Sequence, residues 1–485
     1  MSVTTEPTVI VGGGFLGLFA AMHLCHQRHP APIILIDQAE RFVFKPLLYE
    51  LLSGELSEQQ VWPKYDDLLN CDEITFIHDR VETVDLQQQQ LRLASGLQYT
   101  YGHLVLGVGS TMHDFGIPGV KDYGFPFRTG EDVRRLAQHL RQCLQRASQT
   151  TDATERQSLL TVAIVGAGPA GVEMAATLGD LLPQWARKFE GIRSDLRVVV
   201  VNRSGDILKG DLNDGLRDTA QQALQERLVP VEIIAGASAT EVLPTQLVYT
   251  QADQSYTLLT QTVIWTTGNR VSPLLSTLAV PPDSRDRAGR LRVLPTLQLL
   301  DYPNVFAGGD CAVLDTPQPA TAQVAYQQGE AIATNLNAQV QGQPLQPAQV
   351  RLRGTLMKLG LADGAANLFN RVVITGRQGH LLRQVTYLQL LPNPVHNFKT
   401  SISWLTDEIL QRHTVSSRPA RQRSTPPVTR WVASTLLGLG VATGGLVLWR
   451  NASPEHFNTT WEGTGLPTLL NSGDRSDDLS DDLED

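Results

Sequence analysis

Two stretches of the chain, Thr8–Val11 and Thr161–Val165, run apolar and β-branched without alternation and then stop at glycine. Unbroken apolar runs of this length mark strands buried on both faces. The first leads into Gly12-Gly13-Gly14-Phe15-Leu16-Gly17, an apolar helical run, and a second strand, Ile33–Ile36, that closes on Asp37. The other leads into Gly166-Ala167-Gly168-Pro169-Ala170-Gly171, helical sequence as far as Phe189, and a strand, Leu196–Val201, that closes on Asn202-Arg203-Ser204. The G-x-G-x-x-G spacing at Gly12, Gly14 and Gly17 therefore recurs at Gly166, Gly168 and Gly171. In such a unit the first glycine permits a tight strand-to-helix turn. The second lets a pyrophosphate approach the backbone, and the third lets helix and strand pack closely. The free N–H groups and positive dipole end of the helix face the phosphates. Two copies imply two bound nucleotides and an α/β fold of two Rossmann-like dinucleotide-binding domains.

The pattern between and after these units is consistent with that reading. Ile74–Asp85 reads as a strand pair and Leu91–Tyr101 as a hairpin, while Pro46 interrupts an otherwise helical run. Leu104–Ser110 is a buried strand whose end carries Gly107 and Gly109. Thr262–Asn269 mirrors it, closing on Gly268. Thr129 or Gly130, followed by Glu131-Asp132, starts a helix that runs to about Gln149. Val231–Ile234 and Leu247–Thr250 read as strands. Asn304–Ala307 is a strand ending in Gly308-Gly309-Asp310, where an acid can hold a polyol by its hydroxyls. A glutamine-rich helix then opens at Ala320–Glu330, its N–H groups able to stabilise negative charge on a ring.

The two strand ends differ in charge. Asp37 can accept hydrogen bonds from ribose hydroxyls. At the second site the acid is missing and Arg203 is available. An acid there repels the extra phosphate of NADPH and an arginine attracts it, so use of NADPH, alone or with NADH, is expected. The alternative is that Asn202 binds the ribose and Arg203 is a solvated surface residue.

Composition changes the picture at the C-terminus. The chain has 485 residues and a net charge of −9, yet residues 451–485 hold nine acids and one base. The remainder is near neutral, which argues against nucleic-acid binding. Trp431–Trp449 is nineteen residues without a charge, bounded by Arg430 and Arg450. As a helix it would reach ~28 Å against a hydrocarbon core of ~30 Å, with tryptophan at both ends. It reads as a transmembrane helix; a buried or interfacial helix is the alternative. Arg418, Arg421, Arg423 and Arg430 precede it, which puts the catalytic body on the cytoplasmic face and the acidic tail, expected to be disordered, across the membrane. No signal or transit peptide opens the sequence. Cys25, Cys71, Cys143 and Cys311 are scattered singly, which predicts reduced thiols and no disulfide framework, zinc site or other metal.

Over about residues 8–410 these features resemble the two-dinucleotide-binding flavoproteins of the disulfide-reductase superfamily, without the redox cysteine pair of its thioredoxin and glutathione reductase branch. Phe44-Lys45-Pro46-Leu47-Leu48-Tyr49 and Ala322-Gln323-x-Ala325-x-Gln327-x-Gly329 look like type II NAD(P)H:quinone oxidoreductases, and most like their cyanobacterial and plastid branch, one member of which reduces demethylphylloquinone. The resemblance implies FAD on Gly12, Gly14, Gly17 and Asp37, with Asp310 on the ribityl chain. Lys45, Pro46, Val81, Gly109 and Gly309 would line it, and Ala322-Gln323 would approach the flavin ring. NADH or NADPH would lie on Gly166, Gly168, Gly171, Asn202, Arg203 and Gly268, with Glu173 near the nicotinamide. Gln323 and Gln327 would border the pocket of a membrane quinone, such as a naphthoquinone.

The implied organisation is an FAD-binding domain in two parts, 1–125 and 296–350, around an NAD(P)H-binding domain, 126–295. A membrane-docking and quinone-site region at 351–415 carries Gly354, Leu356, Met357, Gly360, Leu388, Leu390, Leu391 and Trp404. A linker at 416–430, the helix at 431–449 and the tail at 450–485 complete the chain. The implied location is the thylakoid or plasma membrane, a lipid bilayer partner in either case, and a homodimer is left open. Two rivals stand beside this reading: a sulfide:quinone reductase, which needs paired reactive cysteines at the flavin, and a non-catalytic flavin sensor or interaction protein.

Overall fold

A computed structural model describes residues 6–210, 214–352, 354–368 and 372–390. All of its sheets lie in one compact unit that takes in the residues up to Gln384. Of the second unit only 385–390 are described, the end of a helix.

Thr8–Val11 sits inside a six-stranded sheet. The order is Gln298–Leu299, Tyr302–Ala307, His103–Leu106, Thr8–Val11, Ile33–Asp37 and Ile74–His78. All pairings are parallel except that of the edge strand Gln298–Leu299. The chain leaves Thr8–Val11 towards Ile33–Asp37 on one side and returns as His103–Leu106 on the other. The strand order reverses there, which opens a crevice beyond the strand ends at the first glycine loop.

Thr161–Val165 occupies the same place in a second sheet, ordered Val231–Ala235, Arg197–Asn202, Thr161–Val165, Thr262–Trp265 and Gly124–Pro126, all parallel. Its core is small and β-branched: Ala163, Val165, Val199, Val201 and Val263 are buried against Val242, Leu247 and Trp265. β-Branched residues fill a sheet covered on both faces because their restricted rotamers suit the pleat. Ser110–Met112 and Asn269–Val271 pair antiparallel where the chain passes between the two sheets.

The helix cap at Thr129 acts as read. Thr129 Oγ1 accepts from Asp132 N at 3.1 Å and Asp132 Oδ2 accepts from Thr129 N at 3.0 Å. This reciprocal box starts the helix Gly130–Gln149. The hairpin within Leu91–Tyr101 appears as Gln90–Leu93 with Gln98–Thr100, but Ile74–His78 and Val81–Asp85 do not pair with each other: the first joins Ile33–Asp37 in the six-stranded sheet and the second pairs with Gln90–Leu93. Pro46 does not break a helix. It opens one, in the 3₁₀ turn Lys45–Leu47 that feeds Leu48–Ser53, because a residue without an N–H is tolerated in a first turn. Gly354–Lys358, Gly364–Leu368 and Val372–Thr375 form a three-stranded antiparallel sheet, followed by the helix Gly376–Gln389.

The expectation of reduced, unpaired cysteines is corrected. Cys25 and Cys71 are joined by a disulfide, whereas Cys143 and Cys311 are free and buried. The end of the first glycine helix, Phe15–His26, lies beside the turn that enters Ile74–His78, bringing the two α-carbons to 6.6 Å. Among the described residues no helix is long and apolar enough to cross a membrane. Leu391, Trp404 and Trp431–Trp449 lie outside those residues.

Candidate active site

The two glycine loops have nearly the same geometry. Gly12 and Gly166 adopt φ of +97° and +106°, a region that favours glycine. A Cβ on Gly17 would stand 1.9 Å from Gly12 O, and one on Gly171 would stand 1.9 Å from Gly166 O. The third glycine of each motif is thus required by the crossing of helix and strand. Around Gly14 and Gly168, by contrast, a Cβ would meet nothing within 4 Å. Both residues are the N-caps of their helices and have no side-chain cap. Each loop therefore presents open backbone at a helix N-terminus, the arrangement that receives a pyrophosphate.

Around the first loop the chain gathers most of the expected residues. Asp37 Oδ2 accepts from Gly13 N at 2.6 Å and Oδ1 from Ala39 N at 2.7 Å. Burial raises its pKa against these bonds. Tyr65 Oη donates to Gly13 O at 2.8 Å and its ring lies tilted against Phe76, centroids 4.5 Å apart, which fixes the loop. Asp310 Oδ2 accepts from Ser110 Oγ at 2.8 Å, next to Gly109, which has a φ of +59° and open space around it. Gly309 N donates to Gln328 Oε1 at 2.6 Å. Lys45 lies within electrostatic range of Asp310 and Arg128. Arg128 then spans the passage between the sheets: its guanidinium donates to Asn269 Oδ1 at 2.8 Å and to Ser110 O at 2.6 Å. Val81 is buried at the head of its strand and Pro46 is half-buried.

At the second loop Asn202 ends its strand. Its Oδ1 accepts from Ala167 N at 3.3 Å, and its Nδ2 donates to Ser204 O at 2.8 Å and Asp206 O at 3.0 Å. Arg203 beside it is exposed. Gly268 adopts a φ of +80°, and a Cβ there would stand 2.5 Å from His113 O.

Tyr49 reaches the second glycine loop. It belongs to the Lys45–Tyr49 segment, yet its hydroxyl donates to Ala170 O at 3.2 Å, in the second glycine loop, and interacts with Glu173. Glu173 stands in the first turns of the second glycine helix and also accepts from Lys358 N at 2.8 Å. Burial, opposed by Arg383, raises its carboxyl to about 7. It can therefore exchange a proton near neutrality.

Behind this pair lies a cluster that sequence reading did not single out. Glu50, Lys358 and Arg383 are fully buried and Glu55 nearly so. Lys358 Nζ bonds Glu55 Oε1 at 2.8 Å and Glu50 Oε1 at 3.2 Å. Arg383 bonds Glu50 and donates to Pro46 O at 2.6 Å. Burial would raise the Glu50 carboxyl, but Arg383 and Lys358 hold it down to about 2. For Glu55 burial prevails over Lys358 and the carboxyl is raised. Charges amid apolar neighbours, as in Leu48-Tyr49-Glu50-Leu51 and Leu356-Met357-Lys358-Leu359, were the available signal.

Gln323 and Gln327 face the strand that enters this cluster. Gln323 Nε2 donates to Gly354 O at 3.1 Å. Gln327 donates to Arg351 O at 3.2 Å and accepts from Arg351 N at 3.0 Å. Ala322 opens their helix, Ala322–Val340, with Thr321 as its cap.

Two parallel sheets with matched glycine loops are the framework of a two-nucleotide oxidoreductase, and comparison with known proteins gives the same class. The family described as Pyridine nucleotide-disulphide oxidoreductase matches residues 6–329. The chain is 33% identical over 434 residues to the alternative NAD(P)H-ubiquinone oxidoreductase C1, chloroplastic/mitochondrial, of Arabidopsis thaliana, covering 81% of this chain and 79% of that one. It is 32% identical over 409 residues to the demethylphylloquinone reductase NdbB of Synechocystis sp., covering 82% and 95%. The structure of NDH2 from Plasmodium falciparum in complex with NADH superposes with a TM-score of 0.76 at 17% identity, covering 86% of this chain and 99% of that one. The chain belongs to the pyridine nucleotide-disulphide oxidoreductase family, in its branch of type II NAD(P)H:quinone oxidoreductases.

Proposed function

We propose that this protein is an FAD-dependent NAD(P)H:quinone oxidoreductase that passes two electrons to a membrane quinone without pumping protons. The carrying observation is the Tyr49 bridge, which joins the segment beside the first nucleotide site to Ala170 and Glu173 of the second. The first site fits FAD. Gly14 offers open backbone for a pyrophosphate in the turn that Gly12 and Gly17 permit, Asp37 offers a carboxylate for a ribose, and Asp310 and Gly109 flank the path beyond. FAD, when bound, accepts a hydride and delivers its electrons to an acceptor. The segments 1–125 and 296–350 hold it, and 126–295 holds NADH or NADPH on Gly166, Gly168, Gly171 and Gly268.

The protein's own contribution is to bind, orient and supply protons. Arg128 fixes the passage between the sheets, so that the two sites keep their separation. Glu173 holds a proton that Tyr49 and Lys358 N position beside the second site. Gln323 and Gln327 border the acceptor side together with the backbone of Arg351 and Gly354. The quinone is a naphthoquinone such as demethylphylloquinone, reached from a bilayer that Trp431–Trp449 spans with the catalytic body on the cytoplasmic side.

The sulfide:quinone reading needs two reactive thiols at the flavin. Cys143 lies on the helix Gly130–Gln149 against His139, and burial raises its thiol. Cys311 is buried beneath Leu106 O and pushed up to about 11. Neither has the character of a nucleophile.

Steady-state turnover of the purified protein with NADH and with NADPH, against benzoquinone and naphthoquinone acceptors, tests the proposal. Negligible rates with normal FAD binding would overturn it in favour of a sensor.

A further inference from the structure

The disulfide lies at the far end of the first glycine helix from its glycine loop. Cys25 stands in the last turn of Phe15–His26, and Cys71 three residues before the strand Ile74–His78. The bond joins residues 46 apart. The chain it encloses carries Asp37, the segment Lys45–Tyr49, and Tyr65 with its bond to Gly13 O. The helix it anchors also packs on Ala322–Val340, where Phe19 and Tyr326 have ring centroids 5.5 Å apart. Both cysteines are half-buried, so an external thiol can reach a sulfur. Glu73 Oε2 lies 3.0 Å from Cys71 Sγ and 3.9 Å from Cys25 Sγ.

We propose that Cys25 and Cys71 form a thiol–disulfide exchange site, reduced by a dithiol, that controls how firmly the first nucleotide is held. This rests on the reading of that nucleotide as FAD. In the first step a dithiol thiolate attacks one sulfur. The Cys25–Cys71 bond breaks, a mixed disulfide forms, and the released cysteine takes up a proton. In the second step the other thiol of the reductant displaces the remaining cysteine. The protein gains two electrons and two protons, and the dithiol leaves as a disulfide. In a reducing compartment such an accessible bond is transient and responsive rather than permanent. Its loss removes a cross-link around three of the elements that shape the first site, so the folded site opens more readily. The Glu73 carboxylate sets the pace, because its charge repels the incoming thiolate.

The test uses full-length holoprotein isolated without reductant. Free thiols are counted under denaturation before and after dithiothreitol, and release of FAD is followed by its fluorescence. Two thiols should appear on reduction, and FAD should dissociate about fivefold faster, on the scale of a lost cross-link shared with other contacts. Cys71→Ser should release FAD at the fast rate with or without dithiothreitol. Glu73→Gln should shorten the reduction time about threefold, as expected for removing one partly screened charge. Four free thiols in the isolated protein, or FAD release in the wild type that ignores reduction, would overturn the proposal. A preparation that binds no FAD at all would instead overturn the reading of the site on which it rests.

Discussion

Asp37 and Asn202 stand at the same place in two copies of one fold. Val11 lies opposite Ile36 and Val165 opposite Val201, so each residue is one step beyond its strand's last matched pair. Each accepts from the second residue of its glycine loop, Gly13 N at 2.6 Å and Ala167 N at 3.3 Å. Asp37 offers an acidic group; the amide carries no charge and spends its N–H groups on Ser204 O and Asp206 O. Only the second site can therefore receive a further phosphate without repulsion. Asn202→Asp should lower kcat/KM for NADPH about tenfold or more while leaving NADH nearly unchanged, and Arg203→Ala should lower it for NADPH alone. If both variants keep the wild-type NADPH/NADH ratio, Arg203 does not bind a phosphate.

The matched glycines allow the two nucleotides to be assigned separately. Gly17→Ala and Gly171→Ala place the same methyl 1.9 Å from the same carbonyl in their respective loops. The first should yield protein without flavin absorbance. The second should keep its flavin and raise KM for NAD(P)H about tenfold or more, since the loop must shift to admit the methyl. The reverse pattern would exchange the two assignments.

The repeated site was legible in the sequence because its chemistry is local. A strand, three glycines and a terminal acid or amide fall within a few turns of chain, and each is dictated by its neighbours. The Thr129 cap and the strand ends at Gly109 and Gly268 were legible for the same reason. What escaped notice depends on pairings across the chain. Lys358 meets Glu50 and Glu55 some three hundred residues away in sequence, and no periodicity records that. Cys25 and Cys71 look unrelated until a helix end and a strand entry converge. Tyr49 read as part of an apolar loop, whereas its bond to Ala170 O reaches the second glycine loop, more than a hundred residues away in sequence.

The Glu50–Lys358–Glu55 contacts make a sharp prediction about stability. All three side chains are buried, and Lys358 is the cation that Glu50 and Glu55 share. Lys358→Met would leave two carboxylates with Arg383 as the cation facing Glu50, at a cost of about 3–5 kcal/mol. The double variant Lys358→Met/Glu55→Gln should recover part of that loss, because it removes one of the stranded charges. Urea denaturation of the three proteins measures it. Equal stabilities for the wild type and Lys358→Met would mean that the cluster contributes nothing.

Glu173 links stability to pH through one proton. The unfolded chain releases it near 4.5, and the folded protein holds it to about 7, chiefly through burial. Its contribution to stability is full below 4.5, declines across that window and is gone above it, at most about 3 kcal/mol in all. His380 acts in the opposite direction. Burial, Lys358 and Arg383 keep it neutral down to about 3, so its contribution is full above 6.5 and is lost as the pH falls. The raw stability curve mixes the two, so the informative quantity is the wild type minus Glu173→Gln, which should fall as pH rises from 4.5 to 7. Turnover gives a second readout. If Glu173 supplies a proton, the wild-type pH–rate profile should bend near 7, and Glu173→Gln should lose both the bend and about a hundredfold in kcat. A glutamine variant that keeps the bend would assign the titration to another group, and Glu173 would then be only an anchor for Lys358 N and Tyr49.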